Sequence, residues 1–342
     1  MYDKKMYEET FSTLRASENT LAEVLRMKKD GKRQYRVTRA AFVAAIIILM
    51  LSMATVAMAY SGIGSWFLGF FSERSERTGK ELTSGQQQLI EDETVEIRSS
   101  VTSGDIAITV ESALSDDYNA YILLNIVAPD GIDLGGEDFR FRDESINIEH
   151  MGMGLGYRIF EDDAGKANIL KMLMEISVDP RPGSTFSFKD GIAKTLTLTD
   201  ICRWTMGEGL SDVLIEGTWV FDIVFSDNGN KDSRSSIELI TEAVYCSAKG
   251  LMGDSQELLI TSFQLSTLGA VVTYTQSQDA LPEALDIFGI QIIMKDGSTV
   301  DLSPNSAIVG VFTLKLDAPI VLDEVDYVLF PDGVILTMKP VK

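Results

Sequence analysis

From Ala40 to Tyr60 the chain runs for 21 residues without a charged side chain, and no Asp, Glu, Lys or Arg occurs anywhere between Arg39 and Glu73. At 1.5 Å of rise per residue, a helix of about 20 apolar residues crosses roughly 30 Å of hydrocarbon. The run therefore reads as a transmembrane helix over residues 40–60. The alternative is a secretory signal cleaved after Ala57-Met58-Ala59, whose small side chains suit a signal peptidase. A signal's apolar core is shorter, roughly 7 to 15 residues, and follows a short basic start, whereas here 39 residues come first. Length and position point to the anchor.

The flanks orient it. Seven basic residues lie between Arg26 and Arg39, the last of them Arg33, Arg36 and Arg39, against the single acid Asp30. Such an excess marks the cytoplasmic side. Beyond the run, Trp66, Phe67, Phe70 and Phe71 read as an outer aromatic belt at the membrane interface. The net charge of -21 divides unevenly, with ten basic and six acidic residues up to Arg39, leaving 20 basic and 45 acidic beyond it. So acidic an outer part argues against nucleic acid as a partner, because phosphate contacts need basic clusters. Cys202 and Cys246, the only cysteines, allow one disulfide or two buried thiols.

The cytoplasmic tail, residues 1–39, carries a one-faced helical pattern in "MYEETFSTLRASENTLAEVLRMKK", with Phe11, Leu14, Leu21, Val24 and Leu25 on the apolar stripe. Thr20 and Glu23 have capping-box spacing, so two short helices fit as well as one. A helix of this length is marginal alone in water, and its stripe reads as a docking surface for a partner or a lipid face. From Glu73 to about Glu96 the composition turns polar, and residues 61–96 read as a juxtamembrane stalk or linker with room for some helix. After that the period becomes two: Ile106, Ile108 and Val110 alternate with polar or small residues, "YNAYILLNIVAPDG" ends in a turn, and Trp219, Phe221, Ile223 and Phe225 share one face. "ELLITSFQLSTLGAVVTYTQ" parallels "DIAITVESALSDDYNAYILLNI" in order. The fold class expected is mainly β, with two tandem immunoglobulin-like β-sandwich domains at 97–240 and 241–342 behind the tail helix and the transmembrane helix.

Few residues offer chemistry. His150 is the sole histidine and sits in the glycine-rich "NIEHMGMGLGY", read as a loop, so neither a Ser-His-Asp triad nor a Cys/His zinc site has its parts. Asp116-Asp117, Glu161-Asp162-Asp163 and the acids from Asp227 to Asp232 read as solvated hairpin tips, without the order of a calcium loop. There is no phosphate-binding glycine loop, nucleophile elbow or dinucleotide fingerprint. No cofactor, no metal and no enzymatic activity are expected.

The layout resembles a group of single-pass membrane proteins of Gram-positive bacteria with an uncharacterised extracytoplasmic domain, described as anti-sigma-factor-like. The resemblance rests on "FSTLRASENTLAEVLRM" before the basic stretch, then "VTSGDIAITVESALSDDYNAYILLNIVAPDG", "EGTWVFDIVF" and "DEVDYVLFPDGVIL". It implies an inner segment that holds a sigma factor or other cytoplasmic regulator, and an outer domain that senses an extracellular ligand or the state of the envelope. The zinc-binding form of such proteins is not matched, since no His or Cys precedes His150. The alternative is a non-signalling envelope scaffold or adhesion protein whose tail only stops transfer.

Overall fold

The computed structural model describes residues 64–134, 139–147, 152–160, 168–180, 184, 186–205, 209–225, 236–239, 244–250, 255–276, 285–286, 289–308 and 310–337. The expected tail helix with Phe11, Leu14, Leu21, Val24 and Leu25, the basic flank of Arg33, Arg36 and Arg39, the apolar run, His150 and the acids at 161–163 and 227–232 lie outside them. Among the described residues no helix is long and apolar enough to cross a membrane.

Two helices come first, α1 (Ser65–Arg77) and α2 (Ser84–Glu93), and the rest is antiparallel strand. β1 (Thr94–Ser103), β2 (Ile106–Ser115), β3 (Asn119–Val127), β6 (Ile169–Asp179) and β5 (Gly152–Phe160) form one sheet in that order, and β4 (Phe139–Ile146), β7 (Lys194–Thr205) and β8 (Gly209–Ile223) form a second. Their facing sides enclose one core. Ile106, Ile108, Val110, Ile122, Leu124, Met172 and Met174 from the first sheet meet Phe139, Phe141, Leu196, Leu198, Trp219 and Phe221 from the second. Period-two patterning puts these residues on one side of each strand. Trp219, Phe221, Ile223 and Phe225 are each at most 1% exposed.

The C-terminal half repeats this order. β10 (Val244–Gly250), β11 (Ser255–Ser266), β12 (Gly269–Gln276), β16 (Val311–Lys315) and β15 (Thr299–Ile308) follow the order of β1-β2-β3-β6-β5, while β14 (Ile290–Met294), β17 (Val325–Leu329) and β18 (Ile335–Thr337) follow β4-β7-β8. Even a bulge recurs, at Glu111 in β2 and at Thr261 in β11. The halves differ in β15, which pairs with β14 through Thr299–Leu302 and with β16 through Ser303–Ile308, so both of its sheets join. Two short strands, β9 (Ser236–Glu238) and β13 (Leu285–Asp286), pair with β11 and β10.

Three expectations change. The boundary expected at 240/241 falls earlier, because Ser236–Glu238 pairs with β11 and Leu239 lies in the second core. The glycine-rich stretch expected as a loop is in part the strand β5, with Gly152, Gly154 and Gly156 at alternate positions opposite Asp179, Ser177 and Glu175. The described part of the segment expected as a stalk, residues 64–96, forms two helices and the start of a strand and packs on the first sheet. Cys202 is a buried free thiol.

Candidate functional site: a helical wedge at the joint of two halves

α1 opens at Ser65, five residues along the sequence from Tyr60, where the apolar run ends. Phe67, Phe70 and Phe71 recur at i, i+3 and i+4, which places them on one helical face. They are 0%, 2% and 0% exposed. These rings were expected at a lipid surface and are instead enclosed by protein. They pack on the outer side of the first sheet, at Leu114, Tyr121, Leu123 and Leu173, and meet Leu268 and Ala318 from the C-terminal half. Phe70 and Phe71 sit 5.7 and 5.1 Å from Tyr121 in tilted and edge-on arrangements. Trp66 is half-buried, edge-on to Phe160 at 5.4 Å. Each buried phenylalanine contributes about 1.5 to 3 kcal/mol to seating the helix.

α2 locks the wedge. Thr83 and Gln86 form a reciprocal capping box, and Gln86 Nε2 also donates to the Pro319 carbonyl at 2.7 Å. Ile90 completes the aromatic core, and Lys189 Nζ pairs with Glu93 at 2.6 Å.

Beneath the wedge the β2–β3 turn meets the β11–β12 turn. Asp116, expected as a solvated tip, is 0% exposed, and Asp117 is 9% exposed. Asp116 Oδ1 accepts from the backbone N–H groups of Tyr118 at 2.9 Å and Asn119 at 2.6 Å. Its Oδ2 accepts from Ser266 Oγ at 2.5 Å and Leu268 N–H at 3.0 Å, across the joint. Burial pushes this carboxyl above its usual range, and the hydrogen bonds from Ser266, Asn119 and Tyr118 oppose that. Tyr118 adds a hydroxyl bond to Gln264 at 3.1 Å. Two adjacent acids in a turn read as solvent-exposed, whereas here Asp116 Oδ2 is satisfied by a turn 150 residues away and Asp117 Oδ1 by the Ser187 hydroxyl, 70 residues away.

The joint pairs corresponding positions. Ser115 pairs with Ala120 as Leu265 pairs with Ala270, so Asp116 corresponds to Ser266, and these two touch. By the same register Asp179 corresponds to Asp317 and Glu175 to Thr313. Thr313 Oγ1 donates to Asp179 Oδ1 at 3.0 Å. Its counterpart would set Glu175 beside Asp317, two acids. Arg74 of α1 bridges them, with Nη1 3.2 Å from Glu175 and Nη2 3.4 Å from Asp317. The guanidinium, whose side chain is 13% exposed, thus neutralises both halves at once.

Gly269 shows how tight the joint is: a Cβ there would lie 2.3 Å from the Leu314 carbonyl oxygen and 3.0 Å from Asn119 Nδ2. Gly269→Ala should therefore cost about 1 to 3 kcal/mol by overpacking, read from the denaturant midpoint. An unchanged midpoint would mean that the turns separate without penalty.

Two other features flank the wedge. A groove of about 710 Å³ lies between the α1–α2 loop and the β14–β15 hairpin, with Lys80, Glu81, Asp296, Asp301, Asp317 and Glu324 on its walls. Charges of both signs line it, and among the described residues no acid, Cys or His cluster could hold a metal. The second feature is a row of polar residues on the wedge-facing side of the first sheet: Glu111, Asn125 and Lys171, one from each of β2, β3 and β6. Lys171 Nζ stands 3.7 Å from Glu111 Oε2 and 4.2 Å from the centre of the Trp66 ring. Both carboxylate oxygens of Glu111 and Oδ1 of Asn125 are buried without a hydrogen-bond partner. Sequence reasoning passed over all three, although Asn125 and Lys171 are each the single polar residue of an apolar run, in "ILLNIV" and "ILKMLM"; Glu111 in "ITVESAL" has Thr109 and Ser112 close by and gives no such signal.

No family model matches the chain, and no curated protein matches it. One solved structure, described as the crystal structure of the conserved domain protein from Bacillus anthracis, aligns over 73% of this chain and 80% of its own, at 12% identity and a TM-score of 0.45.

Proposed function

We propose that this chain is a single-pass protein of the cell envelope, with its N-terminus in the cytoplasm, a membrane helix at residues 40–60, and an outer body of two tandem immunoglobulin-like sandwiches. Its outer body senses a ligand or the state of the envelope, and its cytoplasmic stripe of Phe11, Leu14, Leu21, Val24 and Leu25 docks a sigma factor or another regulator. The observation that carries this reading is the wedge. α1 begins almost where the apolar run ends, and through Arg74 and its three phenylalanines it touches both halves. A ligand that shifts one half against the other must then shift α1, and with it the segment leading into the bilayer. Such coupling needs a ligand that binds the two arrangements unequally. No enzymatic role is proposed.

Reporter fusions test the topology: one at residue 35 should be active only inside the cell, and one at residue 100 only outside. A mature chain beginning at Tyr60 would refute the anchor. Signalling is tested by Leu21→Asp with Leu25→Asp, which should abolish recovery of a cytoplasmic regulator while leaving membrane insertion intact. If recovery and the transcription profile both stay unchanged, the tail is a stop-transfer flank and the protein is an envelope scaffold.

A further inference from the structure

The Glu111, Asn125 and Lys171 row does not belong to the shared architecture of the two halves. Glu111 and Asn125 correspond by register to Thr261 and Thr275, which are exposed and carry no charge. Acceptors buried without a hydrogen bond are costly, even where a cation stands nearby as Lys171 does at 3.7 Å from Glu111, and native cores rarely keep them. Three such oxygens in one row call for a chemical reason.

The register supplies it. Asn125 and Lys171 are directly opposite one another in the β3–β6 ladder, so their side chains share a face with Cβ atoms about 5 Å apart. The bulge at Glu111 turns its carboxylate to the same side, within 3.7 Å of Lys171 Nζ. The Trp66 ring lies against Lys171 Nζ at 4.2 Å; Asn125 is 6% exposed, Lys171 8% exposed, and the side chain of Glu111 12% exposed. An amine nucleophile, a carboxamide and a carboxyl group are thus held together in a dry place.

We propose that Lys171 and Asn125 become joined by an intramolecular amide bond, with Glu111 as the proton carrier. The Lys171 ammonium passes a proton to Glu111, and the freed amine attacks Cγ of Asn125. The protonated Glu111 donates a hydrogen bond to Oδ1, whose buried oxygen gathers negative charge in the tetrahedral intermediate. The Cγ–Nδ2 bond then breaks, and Nδ2 leaves as ammonia after taking a proton that Glu111 relays from the attacking nitrogen. One C–N bond forms and one breaks. No oxidant, metal or cofactor takes part, and the only product besides the linked chain is one molecule of ammonia. Burial holds the Glu111 carboxyl above its ordinary range, against the pull of Lys171, which suits a group that must be protonated for part of the cycle. Fixing amine and carboxamide on directly opposed positions of neighbouring strands supplies the rate advantage of an intramolecular reaction.

The bond would tie two neighbouring central strands directly under the wedge, and it stands or falls separately from the topology and signalling proposed above. Mass spectrometry on a digest of the full chain, purified from its own cells, tests it. The expected result is a branched peptide pair joining Lys171 to Asn125, lighter by one ammonia than its two parts, and absent from Lys171→Arg and from Glu111→Gln. The wild-type measurement alone decides against the proposal, whatever the variants do to folding. Recovery of unlinked peptides covering Lys171 and Asn125 in the folded protein overturns it, and so does an ammonia loss that maps to any other residue. A linked pair formed as fully in Glu111→Gln as in the wild type overturns the part given to Glu111.

Discussion

Trp219→Ala should lower the stability of the folded body by about 3 to 5 kcal/mol, a large part of the 5 to 15 kcal/mol that holds a typical domain together. The indole is 0% exposed and lies edge-on to Phe141 at 6.4 Å, so truncation leaves a cavity between the two sheets of the N-terminal half. It also removes a bond between those sheets, since Nε1 donates to the Ile106 carbonyl at 3.2 Å. Gly217 makes room for the ring: a Cβ there would lie 2.4 Å from it. A paired test follows. Gly217→Ala should destabilise the wild type but cost little in the Trp219→Ala background, an interaction energy that a double-mutant cycle reads directly. Additive effects would mean that the ring does not lie over Gly217.

Asp116→Ala should cost a comparable amount, about 3 to 5 kcal/mol, because it strips the acceptor from buried donors on both sides of the joint. Tyr118 N–H, Asn119 N–H, Ser266 Oγ and Leu268 N–H all point at this one carboxylate. The loss should also change the form of unfolding. In the wild type the two halves should melt together, whereas in Asp116→Ala the C-terminal half should melt in a transition of its own, seen by calorimetry. Asp116→Asn keeps one acceptor oxygen and should fall between. A single, undisplaced transition in Asp116→Ala would show that the wedge alone couples the halves.

The strands were legible in the sequence because alternation is a local signal: Ile106, Ile108 and Val110, or Trp219, Phe221 and Ile223, announce a buried face without reference to any partner. The repeat was legible for the same reason, since both copies keep the strand–turn–strand order. The wedge was not. Its helix is mostly polar in "SERSERTGKELTSGQQQ", and three phenylalanines beside an apolar run fit a membrane interface as well as a protein cleft. Their i, i+3, i+4 spacing was the available signal. Asp116 could not be read at all, because nothing within its own hairpin distinguishes an acid facing water from one facing Ser266. The mainly β class could be read from the chain; the way the halves meet depends on contacts more than a hundred residues apart, such as Arg74 with Glu175 and Asp317.

A contact in which a residue meets its own counterpart, as Asp116 meets Ser266, is the kind that identical subunits make about a two-fold axis. Here the subunits are fused. Separate subunits part on dilution, but a covalently tethered partner is present at an effective concentration of about the millimolar range, regardless of how much protein the cell makes. The joint therefore does not have to hold its partner against dilution. Polar groups such as Asp116, Ser266 and Arg74 then contribute to its strength beside the close packing at Gly269. A single guanidinium supplied from the segment nearest the apolar run, between two carboxylates that would otherwise repel, is a means of adjusting that strength from outside the joint itself.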